Sequence, residues 1–146
     1  MSRRRRWSAI VITAVVLVTF CAACNNSATT ASLTQARARW TAVAPDHYRM
    51  TWYEHAMVGT TRILVEVRAE HVVKINARRD DLKLMPVTDL TVDSVFAELG
   101  RVQQQADKVV ATYDPRLGYP TVVEVDVDDH AIDDEYAFGI ESLQVL

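Results

Sequence analysis

Apolar and polar positions change period several times along the 146-residue chain, and each change marks an element. Leu33, Ala36, Trp40 and Val43 recur at spacings of three and four, which predicts a helix over 32–43. Ser32 and Gln35 have the form of a capping box at its start, and Ala44-Pro45-Asp46 stops it. The period then drops towards two. Residues 47–57, rich in aromatics (Tyr48, Trp52, Tyr53), read as a strand ending near Gly59. Residues 61–69 alternate, with Ile63, Val65 and Val67 against Arg62, Glu66 and Arg68. Glu70-His71 reads as a turn, 72–77 as a third strand, and the charged, Pro-terminated stretch 78–86 as a connecting loop. A second helix is expected from the N-cap Thr91 to Ala106, with Val92, Val95, Phe96, Leu99 and Val102 as its apolar face. Gly100 within it costs up to about 1 kcal/mol. Three more strands are expected at 108–113, 121–128 and 136–145.

The order α-β-β-β-α-β-β-β, with short links, predicts an α+β fold: an antiparallel sheet of about six strands with two helices on one face. Residues 32–146 are then a single domain, long enough for one modest core.

What precedes that domain has a different pattern. Four consecutive arginines, Arg3 to Arg6, lead into an apolar run over 9–23. As a helix that run spans about 22 Å, short of a bilayer core of about 30 Å, so it fits the core of a signal peptide better than a stable span. The positive start keeps the N-terminus cytoplasmic and sends the remainder outward. The run closes on Cys21-Ala22-Ala23-Cys24. This resembles a bacterial lipobox, in which small residues precede the cysteine that becomes lipidated. Ala22 and Ala23 take the small positions and Cys24 the lipidation position, while Cys21 stands where leucine is commoner. The resemblance implies a signal peptide over 1–23, acyl chains such as palmitate on Cys24, and a polar tether over 24–31. A Cys-x-x-Cys redox or zinc reading lacks a second pair and sits at the end of a membrane-inserted segment.

Composition changes the picture once processing is considered. The whole chain has 16 Lys plus Arg and 19 Asp plus Glu. All 19 acids lie beyond Cys24 and four of the bases before it, so the exported part has 12 bases against 19 acids, a net of −7. Nucleic acid is therefore excluded as a partner. The acidic domain stands off an anionic leaflet and meets the membrane only through its lipid.

The most distinctive motif is Tyr113-Asp114-Pro115-Arg116-Leu117-Gly118-Tyr119-Pro120. Asp followed by Pro starts a type I turn, and Gly118 supplies the positive φ that closes the hairpin. With the strand that follows and Asp133-Asp134-Glu135, the motif resembles the family called domain of unknown function 6174. These are small exported bacterial proteins, many of them lipoproteins, and Trp40 and Tyr48 sit where that family also places a Trp and a Tyr. The resemblance covers residues 38–146 and implies fold and location, with no assigned activity. Many members also have a Cys-x-Cys pair after the Tyr, whereas 54–58 here holds no cysteine. The loop is a candidate partner-binding tip through Tyr113, Asp114, Pro115, Gly118, Tyr119 and Pro120. The alternative is a rigid hairpin whose tyrosines pack on the sheet.

Residues 121–146 hold eight acids and no base. Val123, Val125 and Val127 point one way, and Glu124, Asp126 and Asp128 the other, where they repel unless cross-strand Lys or Arg relieves them. Asp128, Asp129, Asp133, Asp134 and Glu135 bracket a short loop and are weak candidates for calcium or another metal. An EF-hand register from Asp126 fails, with Ala131 at its sixth position and Ala137 at its twelfth. The bland alternative is a solvated acidic face. His47 and His55 fall on one side of their strand but about 26 Å apart, too far for one ion. His130 is a candidate ligand or an exposed loop histidine.

Nucleophile elbows, Gly-rich phosphate loops and His-Glu-x-x-His are absent, and no catalytic residue or cofactor is assigned. The expectation is a lipid-anchored protein on the extracytoplasmic side of the cell membrane, acting as a non-catalytic binding or structural module with an envelope protein as partner. The alternatives are a calcium- or metal-responsive domain built on the 126–135 loop, and a small hydrolase or protein inhibitor.

Overall fold

A computed structural model describes residues 24–76, 90–131 and 134–146. The expected leader 1–23, the loop 78–86 and Asp133 lie outside the described residues. Along the chain run α1 (Cys24–Val43), β1 (His47–Ala56), β2 (Gly59–Arg68), β3 (His71–Asn76), α2 (Val92–Gln105), β4 (Lys108–Tyr113), β5 (Pro120–Asp126) and β6 (Tyr136–Val145). The strands form one sheet in the order β3-β2-β1-β6-β5-β4, and every neighbouring pair is antiparallel. The α+β class is as the alternation predicts.

Helix α1 begins earlier than its apolar pattern. It starts at Cys24, so Ser32 lies inside it and the expected Ser32–Gln35 capping box does not form its start. Residues 25–31 contain no Gly or Pro, so nothing in them interrupts the i→i−4 ladder propagating back from the packed turns. The expected tether is therefore helical. Its packed part rests on Ala36 and Trp40, both buried.

Helix α2 follows its pattern. Thr91 is the N-cap, its hydroxyl accepting from the Ser94 N–H at 3.2 Å while the Ser94 hydroxyl accepts from the Thr91 N–H at 2.9 Å. Val92, Val95, Phe96, Leu99 and Val102 are all buried. Two side chains tie this helix start to the rest of the fold. The Val92 N–H donates to the Tyr48 hydroxyl at 3.2 Å, and the Trp40 indole donates to the Asp93 carboxylate at 3.3 Å. Trp40 and Tyr48 themselves meet edge to face at 5.6 Å.

One alternating set of strand residues joins these helix residues in a single core: Tyr48, Met50 and Trp52; Ile63, Val65 and Val67; Val123 and Val125; Phe138 and Ile140. Val127 departs from the expected stripe. Strand β5 ends at Asp126, and Val127 is exposed. The opposite alternation, including Arg49, Thr51, Tyr53, His55, Arg62, Glu66, Lys108, Val110, Glu124 and Glu141, is half-buried or exposed. Among the described residues this second face of the sheet is open to solvent.

The turns have distinct chemistry. Met57 and Val58 form the tip between β1 and β2, and Gly59 takes φ +125°. Ala69 and Glu70 join β2 to β3 with φ of +48° and +65°, the left-handed pair a two-residue hairpin of this hand requires, without the Asn or Gly that adopts it easily.

Candidate functional site

The Tyr-Asp-Pro segment joins β4 to β5 as a tight, self-bonded loop. The Asp114 carboxylate accepts from the N–H groups of Arg116 and Leu117 at 2.9 and 2.6 Å. The Gly118 N–H donates to the Asp114 carbonyl, and the Asp114 N–H to the Tyr119 carbonyl, each at 2.9 Å. Gly118 has φ +89° and lies against α1, where a Cβ would stand 2.4 Å from the Ala36 carbonyl oxygen. Leu117, Gly118, Tyr119 and Pro120 are buried, and Tyr113 stacks on Phe96 at 6.5 Å. Burial pushes the Tyr113 hydroxyl up to about 12 and also raises Tyr119. Of the candidate recognition residues, only Pro115 is exposed, with Tyr113 and Asp114 half-buried. The motif clamps α1 onto the sheet.

The acidic loop lies at the opposite ends of β5 and β6. Ligand atoms of Asp128, Asp129 and His130 lie within 4.8 Å of one another, all three residues exposed. The His130 imidazole contacts the Asp129 carboxylate and stands 3.6 Å from Asp128. The Asp134 carboxylate accepts from the Asp128 N–H at 2.8 Å and so closes the loop. Glu135 is exposed and turns towards the sheet face.

The structure brings together a third set of residues that sequence reasoning left scattered. A cleft of about 480 Å³ opens on the solvent-facing side of the sheet, lined by His55, Met57, Lys108, Val110, Glu124, Asp126, Glu135 and Ala137. Its origin is a row of cross-strand neighbours. Glu124 on β5 stands between Val110 on β4 and Ala137 on β6, and Ala137 stands beside His55 on β1. The small Ala137 makes the floor. On one side, the tip residue Met57 is 71% exposed and forms an apolar rim. On the other, Lys108 pairs in register with Asp126. The next row is filled, because the Tyr53 ring lies over Gly139 and its hydroxyl donates to the Thr121 carbonyl at 3.3 Å.

Electrostatics within the cleft are one-sided. Three carboxylates face one lysine and a histidine whose Nδ1 is engaged with the Thr60 hydroxyl at 2.7 Å. Partial burial, with Asp134 and Glu135 adding repulsion, raises the Asp126 carboxyl above its usual range, and Lys108 opposes this. Of the expected row of three acids, Glu124 and Asp126 share this face and Asp128 lies beyond the strand end. Lys108 supplies cross-strand relief to Asp126, but Glu124 has apolar neighbours on both flanks. The alternation did place Glu124 and Asp126 opposite the valines. His55, Met57 and Ala137 needed the β1–β6 pairing, which joins segments about eighty residues apart.

The histidines do not converge. His47 bonds Glu66 at 2.8 Å, at the far end of β1 from His55, and Arg49 bonds the other oxygen of Glu66 at 3.1 Å. These two hydrogen bonds hold the Glu66 carboxyl below its usual range. Among the described residues no helix is long and apolar enough to cross a membrane.

None of the curated proteins matches the chain. A family model does match, over residues 32–145, which takes in both helices' packed turns, all six strands and the Tyr-Asp-Pro clamp. The chain belongs to the family of unknown function DUF6174.

Proposed function

We propose that the protein is a lipid-anchored binding module of the cell envelope, held on the extracytoplasmic side of the membrane by acylated Cys24 and acting without catalysis. In this reading both helices cover one face of the sheet and leave the other for contacts. The single observation that carries it is that open face, with its acid-lined cleft built from four strands. The lipid confines the domain to a thin layer at the membrane and so raises its effective concentration for partners there. The Tyr-Asp-Pro loop serves this by fixing α1, whose start carries Cys24, to the sheet. Cys24→Ala tests the anchor. The variant is expected in the soluble fraction of the envelope, whereas undiminished membrane retention overturns the lipid reading.

A second reading rests on the convergence of Asp128, Asp129 and His130 ligand atoms. It makes the loop responsive to calcium, with Asp134 and Glu135 as further oxygen donors and Asp133 in the same segment. Millimolar calcium is then expected to raise the midpoint of thermal unfolding, by mass action on the folded state alone. An unchanged midpoint removes this reading.

A further inference from the structure

We propose that the cleft on the open sheet face is a groove for an extended, basic stretch of polypeptide, with a lysine or arginine side chain seated over Ala137 between Glu124 and the Met57 rim. This deepens the reading of the domain as a binding module and rests on it.

Four features of the cleft define the occupant. Its volume of about 480 Å³ falls within the range of small ligand sites. Its charge is unbalanced: Glu124, Asp126 and Glu135 outnumber Lys108, and Glu124 faces Val110 and Ala137 across the sheet instead of a base. A cation placed there neutralises Glu124 and offsets the repulsion from Asp134 and Glu135 that adds to burial in raising Asp126. The lining is also part apolar, with Met57, Val110 and Ala137. That combination suits a charged group on a hydrocarbon stem, which buries its methylenes while its head meets a carboxylate. The last feature is length. The row from His55 through Ala137 and Glu124 to Val110 crosses four strands, about 14 Å at ~4.8 Å per strand. A free alkylamine fills only part of that span, whereas about four residues of extended chain match it.

The test uses the full chain in non-ionic detergent and a fluorescent hexapeptide of alternating lysine and valine, with binding followed by anisotropy. Glu124→Gln with Asp126→Asn is expected to weaken binding about tenfold or more. Asp128→Asn with Asp129→Asn removes the same charge outside the cleft and is expected to change it by less than about threefold. Ala137→Leu leaves the charge untouched, raises the floor, and is expected to weaken binding as much as the first pair. Thermal unfolding of each variant verifies the fold, and Glu124→Gln alone, at an exposed position, repeats the charge test where a double variant is unstable. Equal weakening by both charge pairs, undiminished binding to Ala137→Leu, or no binding of the peptide at millimolar concentration overturns the groove. Spermidine binding as tightly as the peptide overturns the polypeptide occupant. A failed peptide test leaves the membrane retention of Cys24 untouched, so the groove and the anchor fail separately.

Discussion

Gly118 joins two demands at one position. Its φ of +89° is expensive for any residue with a Cβ, and the Ala36 carbonyl already occupies the space that Cβ would take. Gly118→Ala is therefore expected to cost about 2–4 kcal/mol, by adding left-handed strain to a backbone collision. Urea unfolding checks it, and a loss below about 0.5 kcal/mol means that the loop is free of α1. Much of this residue-scale chemistry was legible in the sequence. Asp-Pro and Gly announce the turn, and Thr91 ahead of an apolar face announces a cap. The partner of Gly118 was not legible, because a glycine required for close approach and one required for a turn look alike without the helix laid over it. Glu124 and Ala137 hid for the same reason. Each is an ordinary strand residue until the β5–β6 register makes them neighbours.

At the scale of elements, the two helices show where pattern ends and context begins. Helix α2 has its N-cap and its whole apolar face within residues 91–102, so local signals define its start and its buried side. Helix α1 has an apolar stripe only in its second half, and its first half persists because no residue there breaks it. Periodicity marks the buried face of a helix and is silent about turns that extend past it. The β2–β3 hairpin is the reverse case, a turn made by residues with little preference for it. Ala69 and Glu70 both sit at positive φ, so Ala69→Asn with Glu70→Gly is expected to stabilise the protein by about 1–2 kcal/mol. A rise in the urea midpoint at unchanged slope checks this. No rise means that the strain is relieved elsewhere.

For the whole molecule, all five tyrosines are informative together. Tyr48 and Tyr113 are pushed up to about 12, and Tyr53, Tyr119 and Tyr136 are raised, in every case with burial as the leading cause. A raised folded-state pKa contributes stability that is fully present below the ordinary tyrosine value near 10 and is lost as the pH climbs through the folded values. Stability is thus expected to fall steeply above about pH 10, with tyrosinate absorbance appearing together with unfolding rather than before it. Full ionisation near pH 10 in a chain that remains folded contradicts the packing described for Tyr48 and Tyr113. The class of fold was legible at this scale from alternation alone. The strand order was not, because nothing local distinguishes an edge strand from a central one once both alternate.

That strand order has a consequence for how the molecule comes into being. β6 lies at the centre of the sheet, between β1 and β5, although it is the last strand in the chain. Before residues 136–145 are available, the three strands nearest the N-terminus and the hairpin of β4 and β5 share no backbone ladder with each other. A chain delivered N-terminus first can therefore pair β1 to β3, and then β4 with β5, but cannot unite the two halves before β6 arrives. The continuous six-stranded sheet waits for that final stretch, which pairs with both halves.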